Sequence, residues 1–346
     1  MSYNPFATVP IGQTGVAVTR LGFGGASIGG LYREVTDEEG EAIVRHAWDM
    51  GIRYFDVAPL YGYGNAERRF GMGLAGRSRD EFVLSTKVGR LAVPQGAIAP
   101  DADVDRQLFE GREDAYYEAT PPVRMVFDYS YDGVMLSVEE SLQRLGLERI
   151  DILYIHDPDD HWEAAIGGAY PALAELRRQG VVRAIGAGMN QPGMLARFAR
   201  EGDFDVFLVA GRYTLLDQSA LPELLPLCTR RNVSVVIGGV MNSGILADPG
   251  AGARFDYKPA DAVWTERALR LREVCARFNV PLKAAAVQFV LAHPAVVSVV
   301  AGVRAASRLD EYPELMRHPI PDGLWPALRE AGLLPVEAPT PDGHTG

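Results

Sequence analysis

The sequence is poor in cysteine, short of positive charge and without a long apolar run, and each shortage removes a class of protein. Its two cysteines, Cys228 and Cys275, fall in separate helical stretches and have no metal-like spacing. They are also too few for a disulfide framework, so a reduced, cytoplasmic chain is expected. Lys and Arg number 34 against 45 Asp and Glu, a net charge of −11. That balance argues against a nucleic-acid backbone or an anionic membrane surface as partner, and any anionic ligand must be met by local cations. No uncharged apolar run approaches the roughly 18 residues of a membrane span. The opening MSYNPFATVPIGQTG lacks the basic-then-apolar order of an export signal. What is present, 47% hydrophobic and 23% charged residues over 346 positions, is enough apolar material for a large globular core.

Short β-rich runs alternate with longer helical patterns, the mark of βαβ units and a parallel sheet. Strands are expected at 21–27, 52–56, 82–87, 150–156, 182–187, 206–209, 233–237 and 296–300. Helical patterns cover 36–50, 65–74, 138–145, 170–179, 191–200, 222–230, 282–292 and 305–317. Eight of each predicts closure into a (β/α)₈ TIM barrel, read as a single domain over 1–346. Thr36 with Glu39 three residues on forms a capping box. Gly51, Gly146 and Gly180 stand where a left-handed residue ends a helix. Two insertions interrupt the alternation, a long one at 89–133 and a smaller one at 242–262, and 340–346 reads as a loose tail. The long insertion holds Phe109, Tyr116, Tyr117, Phe127, Tyr129 and Tyr131, which either line a pocket or pack the insertion itself.

A barrel of this kind carries its catalytic groups at the carboxyl ends of the strands. That rule selects Asp56, ending the second strand in GIRYFDVAPLYGYGNAE, and Tyr61 in the loop after it. It also selects Lys87, ending the third in FVLSTKVG, and His156, ending the fourth in DILYIHDPD. A lysine after the apolar run FVLST needs a counter-charge, for which Asp56 is placed. The ammonium is then expected to lower the pKa of the Tyr61 phenol from about 10. His156 would bind or polarise the reacting oxygen. The set offers no activated nucleophile; it suits carbonyl reduction or alcohol oxidation, with a cofactor moving the hydride.

Two other motifs read more blandly. The run His156, Asp157, Asp159, Asp160 and His161 contains metal-ligand types, but other strand ends supply Ser27, Lys87 and Ala187, so apart from His156 these are expected to be solvated loop residues and no metal is expected. GFGGASIGG lacks the spacing of a dinucleotide fingerprint and reads as the first barrel strand.

GIRYFDVAPLYGYGNAE resembles the signature of the aldo-keto reductases, and STKVG and the strand-ending HD resemble that family's Lys and His segments. The order Asp, Tyr, Lys, His matches its catalytic tetrad, and similarity runs from LGFGG to AGVRAASRLDE. The resemblance implies a nicotinamide cofactor, NAD or NADP, extended across the barrel mouth without a Rossmann domain. It assigns the carboxamide to Asn190 in AIGAGMN and nicotinamide stacking to Tyr213 in AGRYTLL. Ser243 and Leu246 in GGVMNSGIL fall in a pyrophosphate segment. Gly302, Arg304, Arg308 and Glu311 in VVAGVRAASRLDE fall in an adenosine-phosphate site built on helix-start amides. The chain departs from the pattern at Met189, where Ser is common, at Ala210 for a frequent Gln, and at Gly302 for a common Lys. The last departure tilts the expectation slightly to NAD, with use of both open.

Within the family, AIGAGMN, LVAGRYTLLDQ, VVIGGVMNSGIL and VFDYSYDGV resemble dehydrogenases of L-fucose and D-threo-aldoses, and pyridoxal 4-dehydrogenases in the same segments. The resemblance implies oxidation of a small aldose at C1 to the lactone, with Tyr61 as base. A sugar-binding mouth needs polar contacts, for which His156, Tyr32 and the long-loop tyrosines, Tyr129 and Tyr131 among them, are the candidates. Pyridoxal oxidation or reduction of another aldehyde or ketone is the alternative. A cofactor-sensing regulatory subunit on the same fold is the non-enzyme alternative.

Overall fold

In the computed structural model, which describes residues 3–106, 108, 109, 112, 113 and 116–341, eight parallel strands close a barrel. The barrel strands are β1 Leu21–Gly24, β2 Tyr54–Asp56, β3 Val83–Val88, β4 Ile152–His156, β5 Ala184–Met189, β6 Val206–Ala210, β7 Ser234–Gly238 and β8 Val296–Ala301. Closure is made by β8 against β1, with Val299 opposite Leu21 and Ala301 opposite Phe23. The helices are α1 Asp37–Asp49, α2 Asn65–Leu74, α3 Tyr131–Leu145, α4 Tyr170–Arg178, α5 Pro192–Glu201, α6 Leu224–Arg231, α7 Ala262–Arg277, α8 Leu282–Leu291, α9 Ala306–Arg317 and α10 Leu324–Glu330. None of them is long and apolar enough to cross a membrane singly.

The strands are apolar on both faces because both faces are covered. Tyr54, Val83, Ile152, Tyr154, Ala184, Val206 and Val236 fill the barrel interior, and their alternates Phe55, Leu84, Leu153, Ile155, Ile185 and Phe207 pack under the helices. A hairpin of Thr8–Pro10 with Ala17–Thr19 precedes β1. Its Ile11, Val16 and Val18 join the interior cluster. Gly12 N donates to Ser234 Oγ at the start of β7 at 3.2 Å. The amino-terminal end of the barrel is thereby plugged.

The expected strands all form. The capping box at α1 is complete, with Glu39 N donating to Thr36 Oγ1 and Thr36 N to Glu39 Oε2. The helix expected at 138–145 begins earlier, at Tyr131, because Ser130 caps it by accepting from Gly133 N at 3.0 Å. The long insertion contains a hairpin in which Arg90–Pro94 pairs antiparallel with Val123–Phe127; the side chains of 107–115, Phe109 among them, lie outside the described residues. α7 was not expected. Its buried stripe, Ala268, Leu271, Val274 and Cys275, is narrow, and Val263 in the first turn is 71% exposed, which blurs the helical pattern.

Candidate active site

Asp56 ends β2 and Lys87 lies near the end of β3, so neighbouring strands bring them side by side. Lys87 Nζ donates to Asp56 Oδ2 at 2.8 Å and to the Val57 carbonyl at 2.9 Å, and Ser85 Oγ donates to Asp56 Oδ1 at 2.7 Å. The pair is 1% and 2% exposed, so each charge depends on the other. Tyr61 follows β2 on a tight loop whose backbone crosses that of residues 25–30. A Cβ on Gly62, at φ +63°, would come within 2.1 Å of the Gly29 carbonyl oxygen, and one on Gly29 within 2.7 Å of the Tyr61 carbonyl carbon. Gly62→Ala is therefore expected to destabilise the fold by about 2–4 kcal/mol, from backbone strain plus a clash that no side-chain rotation relieves. Thermal unfolding measures this; an unchanged midpoint would show that the crossing is slack.

The Tyr61 ring lies 4.6 Å from Lys87 Nζ, centroid to atom. It stands edge-on to the His156 ring at 5.8 Å and beside Tyr117 at 6.4 Å. One expectation is corrected here. The phenol is held well above its ordinary range rather than below it: burial dominates, and the negative Asp56 adds to it. Arg90 opposes these effects without cancelling them. His156 is pushed well below the usual imidazole range, first by burial and then by Arg90 and Lys87. It is a neutral ring at physiological pH, able to donate one N–H to an oxygen.

The backbone behind His156 is clamped. Arg90 donates to the His156 carbonyl oxygen at 2.6 Å and pairs with Asp105 at 2.6 Å, and Tyr129 Oη donates to the same carbonyl at 2.6 Å. Tyr129 is 2% exposed and also bonds the Asp157 carbonyl, so it is a support for β4 and not a substrate contact as expected. Tyr131 is corrected too: it occupies the first turn of α3, 42% exposed to solvent.

A chamber of about 340 Å³ opens over Tyr61, Lys87 and His156. Its walls include Leu31, Leu60, Tyr116, Tyr117, Asp157 and Tyr257. Tyr116 and Tyr117 belong to the long insertion, so of its candidate tyrosines these two line the chamber, and not Tyr129 and Tyr131. Asp157 was expected to be a solvated loop acid and instead faces this chamber. The rule that picked out His156 could have found it, since Asp157 is the next residue along the rim. Tyr257 carried no such signal.

The chamber runs into a trench of about 970 Å³, and Asn190, Ala210 and Tyr257 border both. The trench is lined by Asn190, Ser243, Gly302, Arg304, Arg308 and Glu311, and also by Arg33, Arg212 and Lys283. Five cations, set against the acids Asp248, Asp256 and Glu311, and the start of α9, which carries no side-chain cap, suit an extended, anionic dinucleotide. Three assignments are corrected. Tyr213 is fully buried, its ring 5.2 Å from Phe289 and 5.6 Å from His293, so it packs the core and offers no face to a nicotinamide. Leu246 is likewise fully buried in the core. Tyr32 borders the trench and not the substrate chamber. The tip of the second insertion is tied across this region: Arg212 pairs with Asp256 at 2.8 Å, Asn190 donates to Asp256 at 3.4 Å, and Tyr257 N donates to Ser243 Oγ at 3.0 Å.

A closed parallel barrel with a buried Lys–Asp pair, a phenol and a neutral imidazole at one rim, beside a cation-lined trench, has the architecture of a nicotinamide-dependent oxidoreductase of CH–OH groups. The chain belongs to the aldo/keto reductase family, whose model matches residues 20–332. It is 42% identical over 327 residues to a D-threo-aldose 1-dehydrogenase from Pseudomonas sp, covering 93% of this chain and 96% of that one. It is 43% identical over 337 residues to a pyridoxal 4-dehydrogenase from Microbacterium luteolum, covering 94% and 97%. Among solved structures, the holo form of an aldo-keto reductase from Bacillus halodurans superposes with a TM-score of 0.72 at 23% identity, covering 99% of this chain and all of that one. The enzymes of this family use nicotinamide cofactors.

Proposed function

We propose that the protein oxidises a small aldose of the L-fucose or D-threo type at C1, converting the cyclic hemiacetal to the lactone. The observation that carries this is Tyr61, fixed between the Lys87 ammonium and the neutral His156 imidazole at a chamber continuous with a cation-lined trench. The bound nicotinamide supplies the hydride acceptor. His156 donates a hydrogen bond to the C1 oxygen. Tyr61 Oη takes that oxygen's proton as the C1–H electron pair leaves and the C1–O bond becomes a carbonyl; the ring oxygen stays, giving a lactone. Asp56 holds Lys87, and Lys87 orders the phenol.

NAD is the proposed carrier, with NADP as a poorer substitute. Gly302 contributes no cation, and Lys283 and Arg308 are both engaged by the Glu311 carboxylate. A 2′-phosphate that recruited Lys283 or Arg308 would have to compete with that pairing. The two buried, unpaired thiols, Cys228 and Cys275, suit a reducing cytoplasm.

Appearance of reduced nicotinamide is the test, with NAD and NADP each offered against L-fucose, D-galactose, arabinose and pyridoxal. Turnover of an aldose with lactone as product, faster with NAD, is expected. Tyr61, Tyr116, Tyr117 and Tyr257 also present aromatic surface to the chamber, which favours pyridoxal as the second reading; oxidation of pyridoxal alone would select it. Tight nicotinamide binding with no turnover on any of these would point to a cofactor-sensing regulatory subunit.

A further inference from the structure

Asp157 is the first residue beyond β4 and adopts φ +40°, in the left-handed region that a side chain makes costly. It is held there from both sides: its N–H donates to the Gly188 carbonyl at 3.1 Å, and its own carbonyl accepts from Tyr129 Oη at 3.0 Å. The strained turn sends the carboxylate into the substrate chamber, where the side chain is 29% exposed. Its Oδ2 lies 3.4 Å from His156 Nε2. Among the described residues no group donates a hydrogen bond to this carboxylate. The nearby Arg90 guanidinium is directed instead to Asp105 and the His156 carbonyl. Burial raises the carboxyl to about 6, with Arg90 opposing, so at neutral pH it is an ionised acceptor awaiting a donor.

We propose that Asp157 is a specificity-determining residue that accepts a hydrogen bond from a substrate hydroxyl on the carbon next to the reacting one. The geometry follows from His156. An oxygen meeting His156 Nε2 places its neighbour on the adjacent carbon beside Nε2, where the Asp157 carboxylate lies. The substrate class is therefore a 2-hydroxy aldehyde or its cyclic hemiacetal, and an analogue lacking that hydroxyl leaves the half-buried carboxylate without that donor. This rests on His156 as the group that meets the reacting oxygen, but it does not require the physiological substrate to be a sugar.

The test compares kcat/KM for reduction of lactaldehyde and of propanal, which differ by that hydroxyl alone, in the holoenzyme. The parent is expected to prefer lactaldehyde by on the order of 10- to 10²-fold, the range for a hydrogen bond to a charged group. Asp157→Ala is expected to bring the ratio close to one, whatever happens to the absolute rates. Asp157→Asn, which keeps one acceptor oxygen and the side-chain volume, should give an intermediate ratio, and it decides the matter if the alanine variant does not fold. A parent without preference, or variants that keep the parent's ratio, would overturn the proposal. An Asp157-dependent ratio in a protein that oxidises no aldose would sink the aldose assignment and leave this inference standing.

Discussion

Tyr61→Phe is expected to lower kcat by about 10²- to 10⁴-fold in both directions, the usual worth of a positioned proton-transfer group. The substitution removes one oxygen and keeps the ring, so its packing against Tyr117 and His156 and its contact with the Lys87 ammonium persist. Affinity for the nicotinamide dinucleotide, followed by fluorescence titration, should stay near the parent value. Turnover near the parent rate with cofactor still bound would remove Tyr61 from the chemistry. The pH dependence sharpens the expectation. Burial and then Asp56 hold the phenol well above its ordinary range, so at neutral pH it is protonated. Oxidation needs the unprotonated Oη, and its kcat/KM should climb as pH rises above 7. The positive charge of an oxidised nicotinamide moves the position of that climb but not its direction. Reduction uses the protonated phenol and should be flat over the same range. His156, held well below the imidazole range, adds no limb near neutrality. An oxidation profile that is flat or falls above neutral pH would contradict the assignment of Tyr61 as base.

The parts of this molecule that local sequence could specify are those fixed by one strand and the residues around its end. All eight strands were legible because each is a short apolar run between helical patterns, and Asp56, Lys87 and His156 because a strand end in a parallel barrel defines the rim. Contacts that depend on how distant segments fold over that rim were not. Tyr129 and Tyr116 lie in the same aromatic-rich insertion, yet the former lies under β4 and the latter faces the chamber. Only the antiparallel pairing of Arg90–Pro94 with Val123–Phe127 and the bridge from Leu31 to Tyr117 decide which. Tyr213 follows Gly211 and Arg212, which do line the trench, and the turn there sends the next ring into the core against Phe289. The direction of the Tyr61 shift was illegible for the same reason. A sequence shows that a lysine is near and that Asp56 is placed to pair with it, but not that the phenol is wholly buried, which is the largest cause of its rise.

The second large effect is expected at that buried pair. Lys87→Met should destabilise the protein by about 3–5 kcal/mol, because it leaves the Asp56 carboxylate in the core with Ser85 as its remaining partner and no counter-charge. Asp56→Asn strands the ammonium in the same way. The double variant Lys87→Met with Asp56→Asn removes both charges at once and is expected to recover most of that stability, since a neutral pair needs no compensation and the methionine fills most of the lysine's volume. Activity should not follow. kcat in the double variant should stay at least about 10²-fold below the parent, because the ammonium that orders the phenol is gone. Chemical denaturation of the four proteins gives the coupling energy, and steady-state kinetics on the same samples gives the rate. Additive destabilisation would mean that the two charges are stabilised independently. Recovery of stability and rate together would mean that Lys87 serves only the fold. Stability regained with the rate still lost would separate the two duties of one side chain: neutralising Asp56 inside the barrel and ordering Tyr61 at its rim.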